Sequence, residues 1–374
     1  MVYKVLSIFG TRPEAIKMAP LVKTLEQDPR FESKVLVTAQ HREMLDQILA
    51  CFHITPDYDL NIMEPGQTLS GITAKALKGI EEVLKKDRPD IVLVHGDTTT
   101  TFVGSLAAFY QQVKCGHIEA GLRTDCKYAP YPEEMNRRLT GVLADYHFAP
   151  TLTARGHLLQ ENISNDNIVV TGNTVIDALL SVVDQEVDLA ALGLGNVDWS
   201  QKVILMTCHR RENWGAPMEE IFGAAAQIVK ENPDVALILP CHKNPLVREI
   251  AYRHLQGVER VHLVEPLDYL PFAKVMSKSY LVLTDSGGLQ EEAPALAKPV
   301  LVLRDVTERP EAIEAGTAAL AGTTKAEIKE KVNRLLQDKT AYEKMAHSAN
   351  PYGDGTASRR TAEALYAFLN RDSQ

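Results

Sequence analysis

The segment Thr284-Asp285-Ser286-Gly287-Gly288-Leu289-Gln290-Glu291-Glu292 has the residue types of an anion site. An apolar run ends, a serine and two glycines follow, and a helical pattern begins. Backbone N–H groups and the positive end of a helix favour an anion there, and the glycines let a diphosphate approach the chain closely. Glu292 would lie one turn into the helix, where a carboxylate can accept hydrogen bonds from ribose hydroxyls. The same residues also suit a plain helix start, with Ser286 as N-cap and the glycines in a tight turn, and the segment alone does not decide between the two. A second cationic set follows another apolar run at Gly10-Thr11-Arg12. Arg12 offers fixed, forked donors suited to a diphosphate. Lys17, four residues past Pro13, falls on the first turns of the next helix, where a solvated lysine is the ordinary alternative. Neither G-x-x-x-x-G-K-[ST] nor G-x-G-x-x-G occurs, so a P-loop kinase and a nicotinamide enzyme are not supported.

Carboxylates and a histidine stand near these cations in the strand-and-helix pattern. Asp97 and Glu119 close two apolar runs of what reads as one sheet, so they can converge. Glu133 and Glu134 open a helix after Tyr131-Pro132, where a carboxylate also has a purely structural use against the helix dipole. His209 is followed by Arg210, Arg211 and Glu212, which favours a polar site over a packed strand-end histidine. Paired carboxylates with a histidine point to proton transfers without naming the reaction. The scattered His and Asp have no metal-ligand spacing and H-E-x-x-H is absent, so no metal is expected.

These residues need a scaffold that brings many strand ends together. Val5–Phe9, Lys34–Thr38, Asp90–His95, Gly116–Glu119 and Ile168–Thr171 read as strands, with helices over Glu14–Glu26, Arg42–Cys51, up to about Tyr110, and from Pro132 to about Ala144. After the polar, glycine-containing stretch Asp184–Ser200 the rhythm restarts with Lys202–Thr207, Val235–Leu239, Val261–Val264, Tyr280–Thr284 and Val300–Leu303, and a last helix covers about Thr356–Leu369. Strands alternating with helices imply parallel sheets covered on both faces. There are too many units for one eight-unit barrel. The expected fold is α/β, with two Rossmann-like doubly wound domains facing across a cleft. In such sheets ligands bind beyond the carboxyl ends of the strands, which is where the residues above fall. A length of 374 residues also suits two domains.

Composition narrows the function classes. The chain is 45% hydrophobic and 24% charged, which excludes a disordered protein, and its net charge of −9 with no basic run makes it a poor general binder of nucleic acid or anionic membrane. No apolar run approaches a membrane span. The N-terminal stretch lacks a charged-then-apolar leader, so a cytoplasmic location is expected. Five cysteines without a C-x-x-C pair suit that compartment and read as small buried hydrophobes, neither disulfides nor zinc ligands.

The motifs Phe9–Pro20 (FGTRPEAIKMAP), Val37–Gln47, Val94–Thr101 (VHGDTTTT), His117–Thr124 (HIEAGLRT), Tyr131–Arg137 (YPEEMNR), Val170–Asp177, His209–Asn213 (HRREN), Thr284–Pro294, Arg304–Glu311 and Asn350–Gly355 follow one another through nearly the whole chain. Together they resemble the bacterial non-hydrolysing UDP-N-acetylglucosamine 2-epimerases. The resemblance implies a glycosyltransferase-B fold: an N-terminal domain over 1–170 carrying the acid–base carboxylates and completed by a C-terminal helix in 356–374, and a UDP-binding domain over 171–355. It implies reversible epimerisation of UDP-GlcNAc to UDP-ManNAc, through elimination of UDP to 2-acetamidoglucal and re-addition. The product would supply ManNAc units for cell-surface polysaccharide. By the same resemblance Asp97, Glu119, Glu133 and His209 are the catalytic set. Arg12, Lys17, Phe272, Ser286, Gly287, Gly288, Glu292 and Arg309 bind the substrate, with Phe272 against the uracil. Gln40, Arg211 and His242, with Glu133, would hold a second UDP-GlcNAc as an allosteric activator; Glu43 and Gly66 stand where some of those members have a glutamine and an arginine. No cofactor is implied, and a homodimer is expected. Three other readings share parts of this pattern: a glycosyltransferase of the same fold, a hydrolysing epimerase that releases free ManNAc, and a non-catalytic UDP-sugar sensor. The carboxylate set argues against the first and the last.

Overall fold

The computed structural model describes residues 2–39, 42–64 and 66–372. It forms two compact units, residues 1–178 with 352–374, and residues 179–351. The first contains a seven-stranded sheet of β1 (Tyr3–Phe9), β2 (Phe31–Val37), β3 (Tyr58–Asp59), β4 (Ile91–His95), β5 (Lys114–Ile118), β6 (Tyr146–Ala149) and β7 (Ile168–Val170), in the order β3-β2-β1-β4-β5-β6-β7. The second contains β8 (Lys202–Thr207), β9 (Val235–Pro240), β10 (Val261–Val264), β11 (Leu281–Thr284), β12 (Val300–Val302) and β13 (Ala318–Leu320), in the order β10-β9-β8-β11-β12-β13. Every strand pair in both sheets is parallel. Both are doubly wound α/β units of Rossmann type, as in the glycosyltransferase-B fold. The strand order reverses between β1 and β4 in one sheet and between β8 and β11 in the other. Such reversal points open a crevice at the carboxyl end of the sheet.

The sequence dictates this locally. In β4 all five residues, Ile-Val-Leu-Val-His, are buried, as a strand covered on both faces requires. In the helix Arg12–Gln27 the buried Ala15, Met18, Ala19 and Val22 recur at the helical period, and Pro13 sits in its first turn, where its missing N–H costs nothing. The second unit packs Phe222, Ile204, Met206 and Leu283 among its fully buried side chains.

The last helix, Ala357–Arg371, belongs to the first unit. Its start is capped by the Asp177 carboxylate, which accepts from the N–H groups of Ser358 at 2.7 Å and Ala357 at 3.2 Å. Phe368 stacks on Tyr146 of β6 with ring centroids 4.4 Å apart, and Tyr366 meets Tyr3 and Phe31 edge-on. This cap ties the start of helix Thr174–Val182 to the first unit, so the units divide inside that helix, whereas the passage read from the sequence lay at 170/171.

The cysteines need one correction. Cys115, Cys208 and Cys241 are buried, Cys51 is half-buried, and Cys126 is exposed. Cys126 lies in the polar loop before the helix Glu133–Leu143, which has no core to enter. Among the described residues no helix is long and apolar enough to cross a membrane.

Candidate active site

In the first unit the carboxyl ends of β1 and β4 are joined by a buried side chain, Glu14. Its Oε2 accepts from the N–H groups of Gly10 at 3.0 Å and Thr11 at 2.8 Å. Its Oε1 accepts from the hydroxyls of Thr98 at 2.6 Å and Thr101 at 3.1 Å. One carboxylate therefore ties the loop bearing Arg12 to the loop bearing Asp97. Burial raises the Glu14 pKa above its ordinary value, and hydrogen bonds from Thr98, Thr11 and Gly10 act against that rise. Gly10 is needed for a different reason: a Cβ there would lie 2.0 Å from Thr38 Oγ1 and 2.6 Å from Thr100 Oγ1.

Asp97 follows β4 and is paired with Arg137 from the helix Glu133–Leu143, while Asn136 Nδ2 donates to the Asp97 carbonyl at 3.0 Å. Glu119 follows β5, the neighbour of β4, in a left-handed backbone conformation with φ +60°. Its carboxylate is paired with Lys17, accepts from Asn173 Nδ2 at 2.7 Å and lies 3.8 Å from His95 Nε2. Burial drives the His95 pKa down to about 4, with Glu119 acting against it, so this imidazole is neutral at pH 7. Lys17, for which a solvated role is the ordinary reading of the sequence alone, is turned inward onto a carboxylate.

Glu133 and Glu134 separate cleanly. Glu134 is fully buried and accepts from Thr124 N–H at 3.2 Å, Arg137 at 3.3 Å and Arg138 Nε at 2.9 Å. It is an internal anchor that steadies Arg137 beneath Asp97. Glu133 is half-buried at the helix start.

In the second unit β8 and β11 lie side by side with Thr207 level with Thr284, so the loops after them meet. The wholly buried Asp285 accepts from the N–H groups of His209 and Arg210, both at 2.8 Å, and from Asn213 Nδ2 at 3.2 Å. Burial lowers the His209 pKa, Asp285 opposes this, and His242 and Arg210 add to it. The His242 ring stacks on His209 with centroids 5.4 Å apart. The two histidines to which the resemblance gives separate roles, catalysis and activation, are thus neighbours. Arg211 is exposed, 6.0 Å from the Trp214 ring.

The turn Ser286-Gly287-Gly288 leads from β11 into the short helix Leu289–Ala295. A Cβ on Gly287 would meet Glu308 Oε1 at 2.6 Å, where that carboxylate pairs with Arg210 and Arg304. Glu292 is half-buried, and its Oε1 lies close over Gly288. Arg309 is paired with the buried Glu291, and Phe272 is half-buried on the helix Tyr269–Lys278. Gln40 lies outside the described residues. Among the described residues no three His, Cys, Asp or Glu side chains gather to hold a metal.

The first unit thus presents two carboxylates with their own cations at a sheet crevice, able to exchange protons with a bound molecule. The second presents a glycine turn, an oriented histidine and a carboxylate near a helix start, able to hold a nucleotide. Glu14, Arg137, Asn173 and Asn213 escape the sequence reading. Glu14 alone carried a signal, because Thr11-x-x-Glu14 has the spacing of a capping box.

Residues 23–366 match the family model described as UDP-N-acetylglucosamine 2-epimerase. The chain is 57% identical over 362 residues to the UDP-N-acetylglucosamine 2-epimerase of Bacillus subtilis, covering 97% of this chain and 94% of that protein. It is 57% identical over 369 residues to the enzyme of the same name from Escherichia coli K12, covering 97% and 98%. The solved UDP-GlcNAc 2-epimerase of Neisseria meningitidis, bound to UDP-GlcNAc, is 51% identical and similar in structure with a TM-score of 0.86 over 97% of this chain and 100% of that one.

Proposed function

Because the chain belongs to the UDP-N-acetylglucosamine 2-epimerase family, we propose that it interconverts UDP-GlcNAc and UDP-ManNAc without releasing free sugar. The observation that carries this reading is the pair Asp97 and Glu119, on adjacent strand ends and each held against its own cation. The C2 proton of the sugar is not acidic, since no carbonyl adjoins C2. Cleavage of the C1–O bond sends its electron pair to UDP and leaves an oxocarbenium-like centre that acidifies C2–H. A carboxylate takes that proton, the C2–H electrons form the C1=C2 bond, and 2-acetamidoglucal results. In the return step a proton is delivered to the opposite face of C2 and a UDP oxygen bonds to C1. Two faces need at least two groups, and the carboxylates Asp97, Glu119 and Glu133 supply them.

UDP must be held both as leaving group and as nucleophile. Arg12, Lys17, His209, Arg309 and the Ser286-Gly287-Gly288 turn supply donors to its diphosphate and the sugar. Glu292 accepts from the ribose, and Phe272 lies against the uracil. Neither metal nor nicotinamide takes part. Gln40, Arg211 and His242 bind a second UDP-GlcNAc that activates the enzyme. The enzyme works in the cytoplasm as a homodimer, and its product serves cell-surface polysaccharide synthesis.

The test is incubation with UDP-GlcNAc in deuterated water. The expected result is UDP-ManNAc and recovered UDP-GlcNAc both carrying deuterium at C2, unchanged by EDTA. Free ManNAc with UDP as the accumulating products would instead establish hydrolysis, and unlabelled C2 would refute proton transfer at that carbon.

A further inference from the structure

We propose that Asp285 is the positioning residue of His209: it fixes both the loop that carries the histidine and the tautomer of its ring. The proposal rests on the reading of His209 as a working group of the active site. One carboxylate makes both sets of contacts. Its Oδ2 collects the N–H groups of His209 and Arg210 and the amide of Asn213. Its Oδ1 is buried, has no hydrogen bond within ordinary reach, and faces His209 Nδ1 at 3.4 Å. A buried carboxylate oxygen without a donor is costly. Beside the Cys208 thiol, which is only a weak donor to Asp285, an Nδ1–H is the strong donor that the geometry offers, and a bare Nδ1 would set a lone pair against a negative charge. The ring is therefore held with its proton on Nδ1 and with Nε2 as the nitrogen that can take up or give a proton.

The remaining surroundings sharpen this assignment. The Arg210 guanidinium is drawn away to Glu308, so it does not neutralise Asp285. Asn213 is itself fixed, because its Nδ2 also donates to the Leu303 carbonyl at 3.2 Å. The other titratable group beside the carboxylate is the buried Cys208 thiol, held well above its usual pKa by burial and by Asp285, so it stays a neutral thiol. His209 is faced by Asp285 on one side and by the stacked His242 ring on the other, with Arg210 next in the chain. Of these only Asp285 favours the imidazolium. It allows a half-buried histidine to be protonated at Nε2 before UDP leaves, so that the Nε2–H can give its proton to the departing diphosphate and take it back when UDP attacks C1.

Two measurements test the coupling independently of turnover. In the wild-type protein, nitrogen chemical shifts of labelled histidine should show His209 protonated at Nδ1 and bare at Nε2 at high pH; the opposite tautomer would overturn the proposal. In Asp285→Asn the amide oxygen can keep the three loop donors while the NH₂ faces Nδ1. The His209 titration should then move to lower pH, and an unmoved titration would also overturn it. Turnover is read by a cycle. Asp285→Asn should lower kcat roughly 10²-fold with KM for UDP-GlcNAc little changed. The same change on a His209→Ala background should cost almost nothing further. Additive losses would show that Asp285 acts elsewhere. If His209→Ala alone kept full turnover, the reading of His209 would fall, while the titration would still decide the coupling.

Discussion

Replacing Glu14 by alanine removes a side chain that joins the Arg12 loop to the Asp97 loop. The Gly10 N–H is buried and the Thr11 N–H partly so, and both lose their acceptor. An unsatisfied buried donor costs about 1–3 kcal/mol, so the pair costs about 2–4 kcal/mol once water reaches Thr11. For a domain of some 200 residues this lowers the melting temperature by roughly 5–15 °C. Displacement of Arg12 and Asp97 by even an ångström should reduce kcat/KM about 10²-fold. Glu14→Gln behaves differently. Its amide oxygen can take the two backbone donors, and its NH₂ can donate to the Thr98 and Thr101 hydroxyls, so the loss is about 1 kcal/mol or less. The pH dependence separates the two states of the native carboxyl. Burial raises the folded pKa above the ordinary 4.5, so the unfolded chain releases this proton first as pH rises. The wild type therefore loses stability relative to Glu14→Gln as pH climbs from 4.5 through the raised folded value, and regains it on acidification. Thermal melts across pH with steady-state kinetics read both effects. If Glu14→Ala melted within about 2 °C of wild type and kept its kcat/KM, the tie between the loops would be refuted.

Asp97→Asn should lower kcat about 10²–10⁴-fold with the fold intact, because Arg137 remains held by Glu134; near-normal turnover would remove Asp97 from the proton-transfer steps. Glu292→Ala should raise KM with kcat unchanged, since ribose contacts are equal in ground and transition states, and a selective fall in kcat would contradict a ribose role. Phe368→Ala should destabilise the first unit by about 3–5 kcal/mol in denaturant unfolding, through loss of its stack on Tyr146.

The two-sheet fold was legible because parallel strands are buried on both faces and print as apolar runs. Lys202–Thr207 and Val261–Val264 fall where the sequence places them. Strands β3, β6 and β13 were missed: Tyr-Asp, Tyr-His-Phe-Ala and Ala-Ala-Leu are too short, and in some cases too polar, to stand out from helix or loop. Strand ends advertised the candidate site, because charged residues after an apolar run are conspicuous. What stayed hidden was pairing. Nothing local tells that Arg137 meets Asp97, forty positions away, or that Asn173 reaches Glu119; only strand order brings them together. Glu133 and Glu134 looked alike because they are adjacent, yet helical rotation sends Glu134 inward.

The position of the last helix in the chain has a consequence for biosynthesis. Residues 357–371 emerge from the ribosome only after all of the second unit has been made. Domains generally fold as units during synthesis, so the second unit can complete itself while the first still lacks its final helix. Until then Tyr3, Phe31, Tyr146 and Phe148 have no aromatic partner from that helix, and the Asp177 carboxylate has no helix start to cap. A message cut short within the last helix would therefore yield a sound second unit joined to an unfinished first unit. Such a product would be sticky rather than partly active, and a substrate for chaperones and proteases.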